Sequence, residues 1–301
     1  MKIIMNDQSR RQFIRVGMVA AAMAALPSSP AAPRKAPPIA LFEKPLQFLS
    51  YRELGEILAE IGFDGVEATI RRGGHISPER AVDELPEYVE GMKASGLEVL
   101  VMATSVTAAD EPHSPELLQT AAKLGIKRYR LGGFGYNPPT PIFKRLDDIK
   151  SRWQELAALN RELGITGLYQ NHAGSKNVGG PIWDLHYLLK DISPAELGVA
   201  YDIRHAMVEG SSAWPISWQM IRPWVGAYYV KDFVFDGARA RNVPMGKGIV
   251  GTKFYDELKR IGVPSPVSLH VPHLRTVKRA NLNAAIGVIR NDFRVLKSLL
   301  S

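Results

Sequence analysis

The chain contains no cysteine among its 301 residues. Disulfide bonds, catalytic thiolates and cysteine-bound zinc are therefore excluded, whereas a reducing and an oxidising compartment are both compatible with the sequence. No glycine-rich phosphate loop follows the first apolar run, which argues against a nucleotide cofactor in a dinucleotide-binding fold. No basic stretch interleaved with aromatic residues indicates a nucleic-acid partner. The N-terminal apolar run, 16–26, is too short for a stable membrane span.

The composition is that of an ordinary globular protein. Apolar residues make up 46% of the chain and charged residues 23%, so that a sizeable core can form. The net charge of +8 is spread along the sequence without a basic run. Two interpretations stay open: a mildly basic solvated surface, or a surface that favours an anionic substrate or the cell envelope.

The first residues have the pattern of an export signal. The motif S-R-R-Q-F-I at 9–14 precedes the apolar run, and a stretch rich in Pro, Ser and Ala follows it. We predict a twin-arginine signal peptide over 1–32, a Pro-rich linker over 33–38 and a folded domain over 39–301. The prediction implies the twin-arginine export machinery as a partner and a periplasmic location. An Ala-rich N-terminal helix of the domain is the alternative.

Beyond the linker, short apolar runs alternate with longer amphipathic segments. The runs predict buried parallel strands over 39–42, 65–69, 97–103, 127–131, 166–170, 198–202, 226–230 and 266–271. The amphipathic segments predict helices over 51–61, 77–95, 114–124, 142–163, 182–189, 213–225, 252–261 and 276–300. Eight βα units in strict alternation predict one α/β domain, a single (β/α)8 TIM barrel, rather than an open sheet.

Polar side chains occur where the predicted strands end. In a closed parallel barrel, the carboxyl ends of all strands face one mouth, where the chemistry of such folds is found. The side chains expected there are Glu67, Arg71 and His75 after the second strand, Asn171 and His172 after the fifth, Asp202 and His205 after the sixth, Lys231 after the seventh, and His270 in the eighth. Their convergence predicts a functional site at the mouth.

Five stretches carry a resemblance to a known family. They are I-G-F-D-G-V-E at 61–67, Y-Q-N-H at 169–172, D-I-R-H at 202–205, V-K-D at 230–232 and V-P-M-G-K-G at 243–248. In this order and spacing, the chain resembles the xylose isomerase-like superfamily of sugar isomerases, sugar epimerases and endonuclease IV-type enzymes. The resemblance extends over nearly all of the chain after the linker. It implies a barrel that acts on a small-molecule carbohydrate at its mouth.

The resemblance also implies a divalent metal, held after strands five to eight by Glu, Asp, His and Glu. This sequence keeps the Asp as Asp202, whereas the other three positions hold Gln170, Tyr229 and His270. A Gln amide oxygen is a neutral and weak ligand. Gln170, Asp202 and His270 are therefore the predicted ligands of a Mn²⁺, Mg²⁺, Co²⁺ or Zn²⁺ ion, and a metal-free mouth is the alternative.

The candidate residues divide into two roles. The predicted catalytic residues are those that can move protons or stabilise a negatively charged oxygen: Glu67, His172, His205 and Lys231. The predicted substrate-binding residues are Arg71, His75, Asn171, Trp183, Trp214 and His270. Structural alternatives stay open: an Asp–His pair that orders a loop, a solvated Lys–Asp pair, and tryptophans that pack between helices rather than on a sugar ring.

These features together predict an enzyme, an isomerase or epimerase, that acts on a sugar or keto-sugar by proton transfer next to a carbonyl. A lyase or hydratase acting on an oxidised sugar would use the same enolate chemistry. A non-catalytic sugar-binding barrel with a decayed metal site is the third hypothesis, because Gln170 and Tyr229 stand where the family has a carboxylate and a histidine.

Overall fold

The computed structural model describes residues 36–262, 264–274 and 276–301. The predicted signal peptide, 1–32, and the first residues of the predicted linker lie outside this part of the chain, and both stay predictions. From residue 39 onward, strands and helices follow one another in the alternation that the sequence predicts. In the part of the chain that the structure describes, no helix is both long and apolar enough to cross a membrane.

The sheet is a closed barrel of eight parallel strands, as the alternation predicts. Its first seven strands are β1 (Ile39–Phe42), β2 (Gly65–Thr69), β3 (Glu98–Ala103), β4 (Arg128–Arg130), β5 (Thr166–Gln170), β6 (Leu197–Asp202) and β7 (Val225–Val230). An antiparallel hairpin of β8 (Asp232–Asp236) and β9 (Arg239–Val243) follows, and β10 (Val267–Leu269) then closes the barrel between β7 and β1. The prediction of a single (β/α)8 TIM barrel is confirmed.

Nine α-helices occur within the described residues. They are α1 (Tyr51–Ile61), α2 (Ala81–Ala94), α3 (Ser114–Lys123), α4 (Ile142–Leu163), α5 (Trp183–Leu189), α6 (Ile203–Gly210), α7 (Trp214–Ile221), α8 (Gly251–Ile261) and α9 (Leu282–Leu300). Helix α1 illustrates how local sequence sets the boundaries. The side chain of Ser50 accepts the backbone N–H of Glu53 at its start, and Gly62, at φ 104°, ends it in a left-handed conformation.

Several segments differ from the prediction. Helix α6 begins directly after β6, because the Asp202 carboxylate caps it by accepting the backbone N–H of His205 at 3.2 Å. The sequence gives no indication of the β8–β9 hairpin, since the β9 side chains are mostly polar and partly exposed rather than an apolar run. The predicted helix over 213–225 ends earlier, at Ile221, and continues as a 3₁₀ turn before β7.

The interior of the barrel is filled by side chains of its strands. Val101, Leu168, Ala200, Ala227 and Tyr229 form a buried cluster that is separate from the main core between sheet and helices. Layers of this kind make a TIM barrel a packed core rather than a pore. Ligands therefore have access only to the strand ends, where the predicted site residues lie.

Candidate active site

Four side chains meet at the centre of the mouth, and they come from the end of β5, the end of β6, the first turn of α6 and the residue after β7. We name them the Asp202 cluster: Gln170, Asp202, His205 and Lys231. Asp202 Oδ2 lies 2.7 Å from Lys231 Nζ and accepts a hydrogen bond of 2.7 Å from Gln170 Nε2. Lys231 Nζ also lies 3.0 Å from His205 Nε2. The spacing of the D-I-R-H motif, with α6 starting at its second residue, brings the carboxylate and the imidazole to the same side.

Burial and charge set the protonation of this cluster. Burial opposes ionisation of Asp202, but Lys231 and His205 outweigh it and hold the pKa of the carboxyl well below its usual range. Burial lowers the pKa of Lys231, an effect that Asp202 partly offsets. The carboxylate therefore stays ionised, and Lys231 gives up its proton more readily than an exposed lysine does.

His205 is held as a neutral ring in one tautomer. The backbone N–H of Ala173 donates to His205 Nδ1 at 3.2 Å, so Nδ1 carries the lone pair and Nε2 carries the hydrogen. Burial lowers the pKa of His205 to about 2, against a smaller opposing effect of Asp202. The imidazole thus presents an N–H towards Lys231 and acts as a fixed dipole rather than as a charge.

Arg130, the last residue of β4, is a member of the site that the sequence analysis missed. Its Nη1 donates to Gln170 Oε1 at 3.0 Å and lies 3.3 Å from Glu67 Oε1. The guanidinium carbon lies 5.2 Å from the ring centre of Phe42, which adds a cation–π contact. A charged residue at the end of a predicted strand is the signal that marks it, since that position in a TIM barrel faces the mouth.

Glu67 on β2 is fully buried and holds its neighbours in place. Its Oε2 accepts from Ser268 Oγ at 2.6 Å and contacts His270 Nε2 at 2.8 Å. Burial opposes its ionisation, but His270 and Arg130 outweigh this effect and lower the pKa to about 2. An ionised carboxylate with this many partners orients Arg130 and His270, and it is a weak base.

Two cavities open above these side chains. The larger, of about 730 Å³, is lined by residues that include Phe42, Arg71, Arg130, Gln170, His172, Lys231 and His270. The smaller, of about 470 Å³, is bordered by the loop after β4, and it shares Arg71, Arg130, Gln170 and His172 with the larger one. Five predicted site residues therefore face a space that a monosaccharide can enter: Arg71, Gln170, His172, Lys231 and His270.

His172 is the exposed histidine of this group. Its ring lies against that of His205, with 3.9 Å between ring centres. Its Nδ1 lies 3.0 Å from the carbonyl oxygen of Ala173 and 3.2 Å from Asn177 Nδ2. The shorter contact, with an acceptor, favours the tautomer that carries the hydrogen on Nδ1 and the lone pair on Nε2. Burial lowers the pKa of His172, so the ring is mostly neutral near pH 7.

The remaining predicted substrate-binding residues do not line the two cavities. Asn171 is buried and exchanges hydrogen bonds with the backbone of Asp202, at 2.7 and 3.0 Å, which fixes the end of β6. His75 is enclosed by Glu43 and Leu49, to which its two ring nitrogens bind. Trp183 is 59% exposed on α5, and Trp214 is buried against Phe254.

The fold agrees with one family. The family model of the xylose isomerase-like TIM barrel matches residues 56–299. The chain belongs to this family. No curated protein sequence matches the chain.

Solved structures of xylose isomerase-like barrels align with nearly the whole described chain. A D-psicose 3-epimerase, crystallised in the presence of D-fructose, has a TM-score of 0.67 and 16% identity over 87% of this chain and 99% of its own. The probable 3-DHS dehydratase from Bacillus anthracis has a TM-score of 0.65 and 16% identity, with coverages of 86% and 98%. A family member from Mycobacterium smegmatis, in complex with magnesium, has a TM-score of 0.63 and 15% identity, with coverages of 87% and 96%. At these identities the likeness shows the fold.

The magnesium complex of that relative raises the question of whether this xylose isomerase-like barrel has ligands for a divalent ion. Within residues 36–262, 264–274 and 276–301, no group of three or more His, Asp or Glu side chains is arranged to hold one. The predicted ligands Gln170, Asp202 and His270 are all engaged. Gln170 Oε1 accepts from Arg130, Asp202 Oδ2 lies against Lys231, and His270 Nε2 lies against Glu67.

The charges around the predicted ligands also oppose the binding of a divalent ion. Two cationic side chains, Lys231 and Arg130, contact the two oxygens that would have to bind the ion. A divalent cation placed there would be repelled by both, and the one carboxylate, already paired with Lys231, could not offset its two charges. The prediction of a metal site at Gln170, Asp202 and His270 does not fit this donor set, because basic side chains that the sequence analysis did not connect with it already neutralise its oxygens.

Proposed function

We propose that the chain is an enzyme that removes a proton from a carbon next to the carbonyl of a sugar or keto-sugar and returns it, in an isomerisation or epimerisation. The observation that carries the proposal is the position of Lys231, which lines the larger cavity while its Nζ lies 2.7 Å from Asp202 Oδ2. Loss of such a proton leaves an enolate, and its negatively charged oxygen needs a positive group nearby. A buried lysine with a lowered pKa meets this need, because it can also donate its proton.

His172 is the base that fits this geometry. Its ring is mostly neutral, and its Nε2 carries the lone pair next to the cavity. A neutral imidazole in that position can accept the substrate proton and give it back at the adjacent carbon, which isomerises the sugar. Epimerisation requires that the proton returns to the opposite face of the enolate at the same carbon. Glu67, which the sequence analysis placed among the catalytic residues, serves as a positioning residue in this mechanism, since its oxygens are taken up by His270, Ser268 and Arg130.

Asp202 holds Lys231 for this task. The carboxylate of Asp202 fixes the amine, whereas the Nε2–H of His205 faces it at 3.0 Å as a second hydrogen-bond donor and so favours release of the lysine proton. Because that ring nitrogen already carries a hydrogen, it does not take the lysine proton. The proton of Lys231 therefore stays available for the substrate oxygen.

Membership of the xylose isomerase-like family supports a reaction on a carbohydrate. The structural neighbours include an epimerase and a dehydratase, and both names are consistent with chemistry next to a carbonyl. If the substrate carries a leaving group one carbon further on, the same enolate expels it, and the enzyme is a lyase. Product analysis separates the two, because only the lyase reaction releases water.

Deuterium exchange tests the proposal. The purified protein is incubated in D₂O with a panel of ketoses and keto-sugars, and deuterium at carbon is measured by mass spectrometry and NMR. We expect deuterium at the carbon next to the carbonyl of at least one sugar. His172→Gln should slow the exchange about 10²- to 10³-fold, the range that a positioned proton-transfer group contributes.

His186→Gln is the matched control. This histidine lies on α5, half-buried, with its ring against Trp224 and outside both cavities. The control should exchange like the unchanged protein. Absence of exchange in every sugar that binds by calorimetry would contradict the proposed enzyme and favour a sugar-binding barrel. Equal slowing in both variants would contradict the role of His172.

We also propose that the chain is exported by the twin-arginine route, on the S-R-R-Q-F-I motif at 9–14. Expression of the full chain followed by cell fractionation tests this. The protein should occur in the periplasmic fraction, and replacement of Arg10 and Arg11 by Lys should retain it in the cytoplasm. Unchanged export of that variant would refute the proposed route.

A further inference from the structure

The cations of the mouth differ in whether a carboxylate balances them. Lys231 is paired with Asp202, and Arg130 with Glu67. Arg71 belongs to neither pair: among the residues that the structure describes, no carboxylate lies within ion-pair distance of its guanidinium. Among the buried and half-buried Arg and Lys side chains that line the two cavities in the described part of the chain, it is the one without a carboxylate at ion-pair distance.

Arg71 is also held so that it faces the ligand space. It is half-buried and borders both cavities. Its guanidinium carbon lies 5.6 Å from the ring centre of Phe42, whose other cation–π partner is Arg130. Burial and the charge of Arg130 both lower the pKa of Arg71, and the more distant carboxylates of Glu67 and Glu43 offset this effect only in part. Stacking on an aromatic ring restricts a guanidinium, and less freedom is then lost when it binds a ligand.

The residues that line the two cavities also make the site positively charged. Among the described residues, neither cavity is lined by Asp or Glu, whereas Arg71 and Arg130 line both, and Lys231 and Lys44 line the larger. A concave site with cations on its walls and the carboxylates buried behind them has a positive potential. Neutral sugars need no such field, and anionic ligands are attracted by it.

We infer that the substrate is a sugar acid, whose carboxylate is bound by Arg71. This inference rests on the proposed function for the chemistry at the other end of the molecule, where His172 and Lys231 act. A guanidinium binds a carboxylate with two parallel hydrogen bonds. Lys44 is exposed, and Glu67 and Asp202 already neutralise the two buried cations. The buried part of the site therefore retains about one positive charge, that of Arg71, which matches one carboxylate better than a dianionic phosphate ester.

Calorimetry on the full protein tests the inference with four probes of similar size: D-gluconate, D-glucuronate, D-glucose and D-glucose 6-phosphate. At least one acid should bind about tenfold or more tightly than glucose, as expected for a charge-assisted pair. Arg71→Met should weaken the binding of that acid about 30-fold and leave glucose binding unchanged.

Arg72→Met is the matched control, since Arg72 is adjacent in sequence, exposed, and outside both cavities. It should bind every probe like the unchanged protein. The inference is overturned if glucose binds as tightly as the acids, if both variants lose acid binding equally, or if glucose 6-phosphate binds more tightly than either acid and depends on Arg71.

Exchange measurements in D₂O keep this inference separate from the proposed function. Acid binding that depends on Arg71, without exchange in any keto-sugar, would support the inference and refute the proposed reaction. Exchange in neutral keto-sugars, with no acid whose binding depends on Arg71, would support the reaction and refute the sugar acid. A conservative Arg71→Lys variant should recover part of the acid binding, since it restores the charge without the two parallel hydrogen bonds.

Discussion

Two clusters with a buried carboxylate lie at the carboxyl ends of the barrel strands, and they have different surroundings. In the Glu43 cluster, defined as Glu43, Thr69, His75 and Tyr88, the carboxylate follows β1 and is fully buried. It accepts from Tyr88 Oη at 2.6 Å and from Thr69 Oγ1 at 2.9 Å, and it contacts His75 Nδ1 at 3.0 Å. In the Asp202 cluster, the carboxylate is equally buried, but its partners Gln170 and Lys231 border a cavity.

Comparison of the two clusters shows that burial and charge do not by themselves identify a functional site. The polar groups of the Glu43 cluster are satisfied within the protein, down to His75 Nε2, which donates to the carbonyl of Leu49 at 2.9 Å. Such a network fixes the loop after β2 against β1. In the Asp202 cluster, Lys231 has a lowered pKa and faces space. We expect the first cluster to determine stability and the second to determine activity.

The largest effect should come from Lys231→Met. Removal of the only group that can both neutralise and protonate the substrate oxygen in this mechanism should slow deuterium exchange about 10³-fold or more. The variant also leaves Asp202 buried without its cation, which should lower the free energy of unfolding by about 3–5 kcal/mol. Urea unfolding and exchange are therefore measured on the same samples.

A double variant separates these two effects. Asp202→Asn combined with Lys231→Met removes both charges, so most of the lost stability should return while exchange stays slow. Recovery of exchange in the double variant would contradict the role of Lys231. A single Lys231→Met variant that exchanges within about tenfold of the unchanged protein would do so as well.

Glu43→Gln should lower stability and leave deuterium exchange nearly unchanged. The amide cannot replace a carboxylate that binds several donors, and its NH₂ group would face one of them. The free energy of unfolding should fall by about 3 kcal/mol, while exchange per folded molecule should stay within about twofold. Glu56→Gln is the control, because this exposed carboxylate in a helical pair with Arg52 should cost less than about 0.5 kcal/mol. Slow exchange in folded Glu43→Gln would remove the distinction between the two clusters.

The sequence predicts the barrel, but it predicts the difference between the Glu43 cluster and the Asp202 cluster only in part. Apolar runs and amphipathic segments are local patterns, so they predict β1 to β7 and β10 within a few residues. The D-I-R-H spacing is local too, and it predicts that Asp202 and His205 lie together. The partners of His75 and Gln170 are not local: Glu43 is 32 residues before His75, and Arg130 is 40 residues before Gln170. No pattern in the sequence indicates which charged groups will be neutralised by such pairs.

The smallest expected effect concerns the pH dependence of stability, and it arises from His205 in the Asp202 cluster. His205 has a pKa of about 2 in the folded state and 6.5 in a free side chain. Below about pH 6.5 the unfolded chain therefore binds a proton that the folded chain does not, and stability must fall as the pH falls towards 2. Each such group contributes at most about 1.4 kcal/mol per pH unit. His205→Asn removes this group, so its free energy of unfolding, from urea titrations between pH 7 and pH 5, should decline less steeply than that of the unchanged protein. Equal slopes would mean that His205 is not held neutral, and the argument that its N–H leaves the lysine proton to the substrate would then fail.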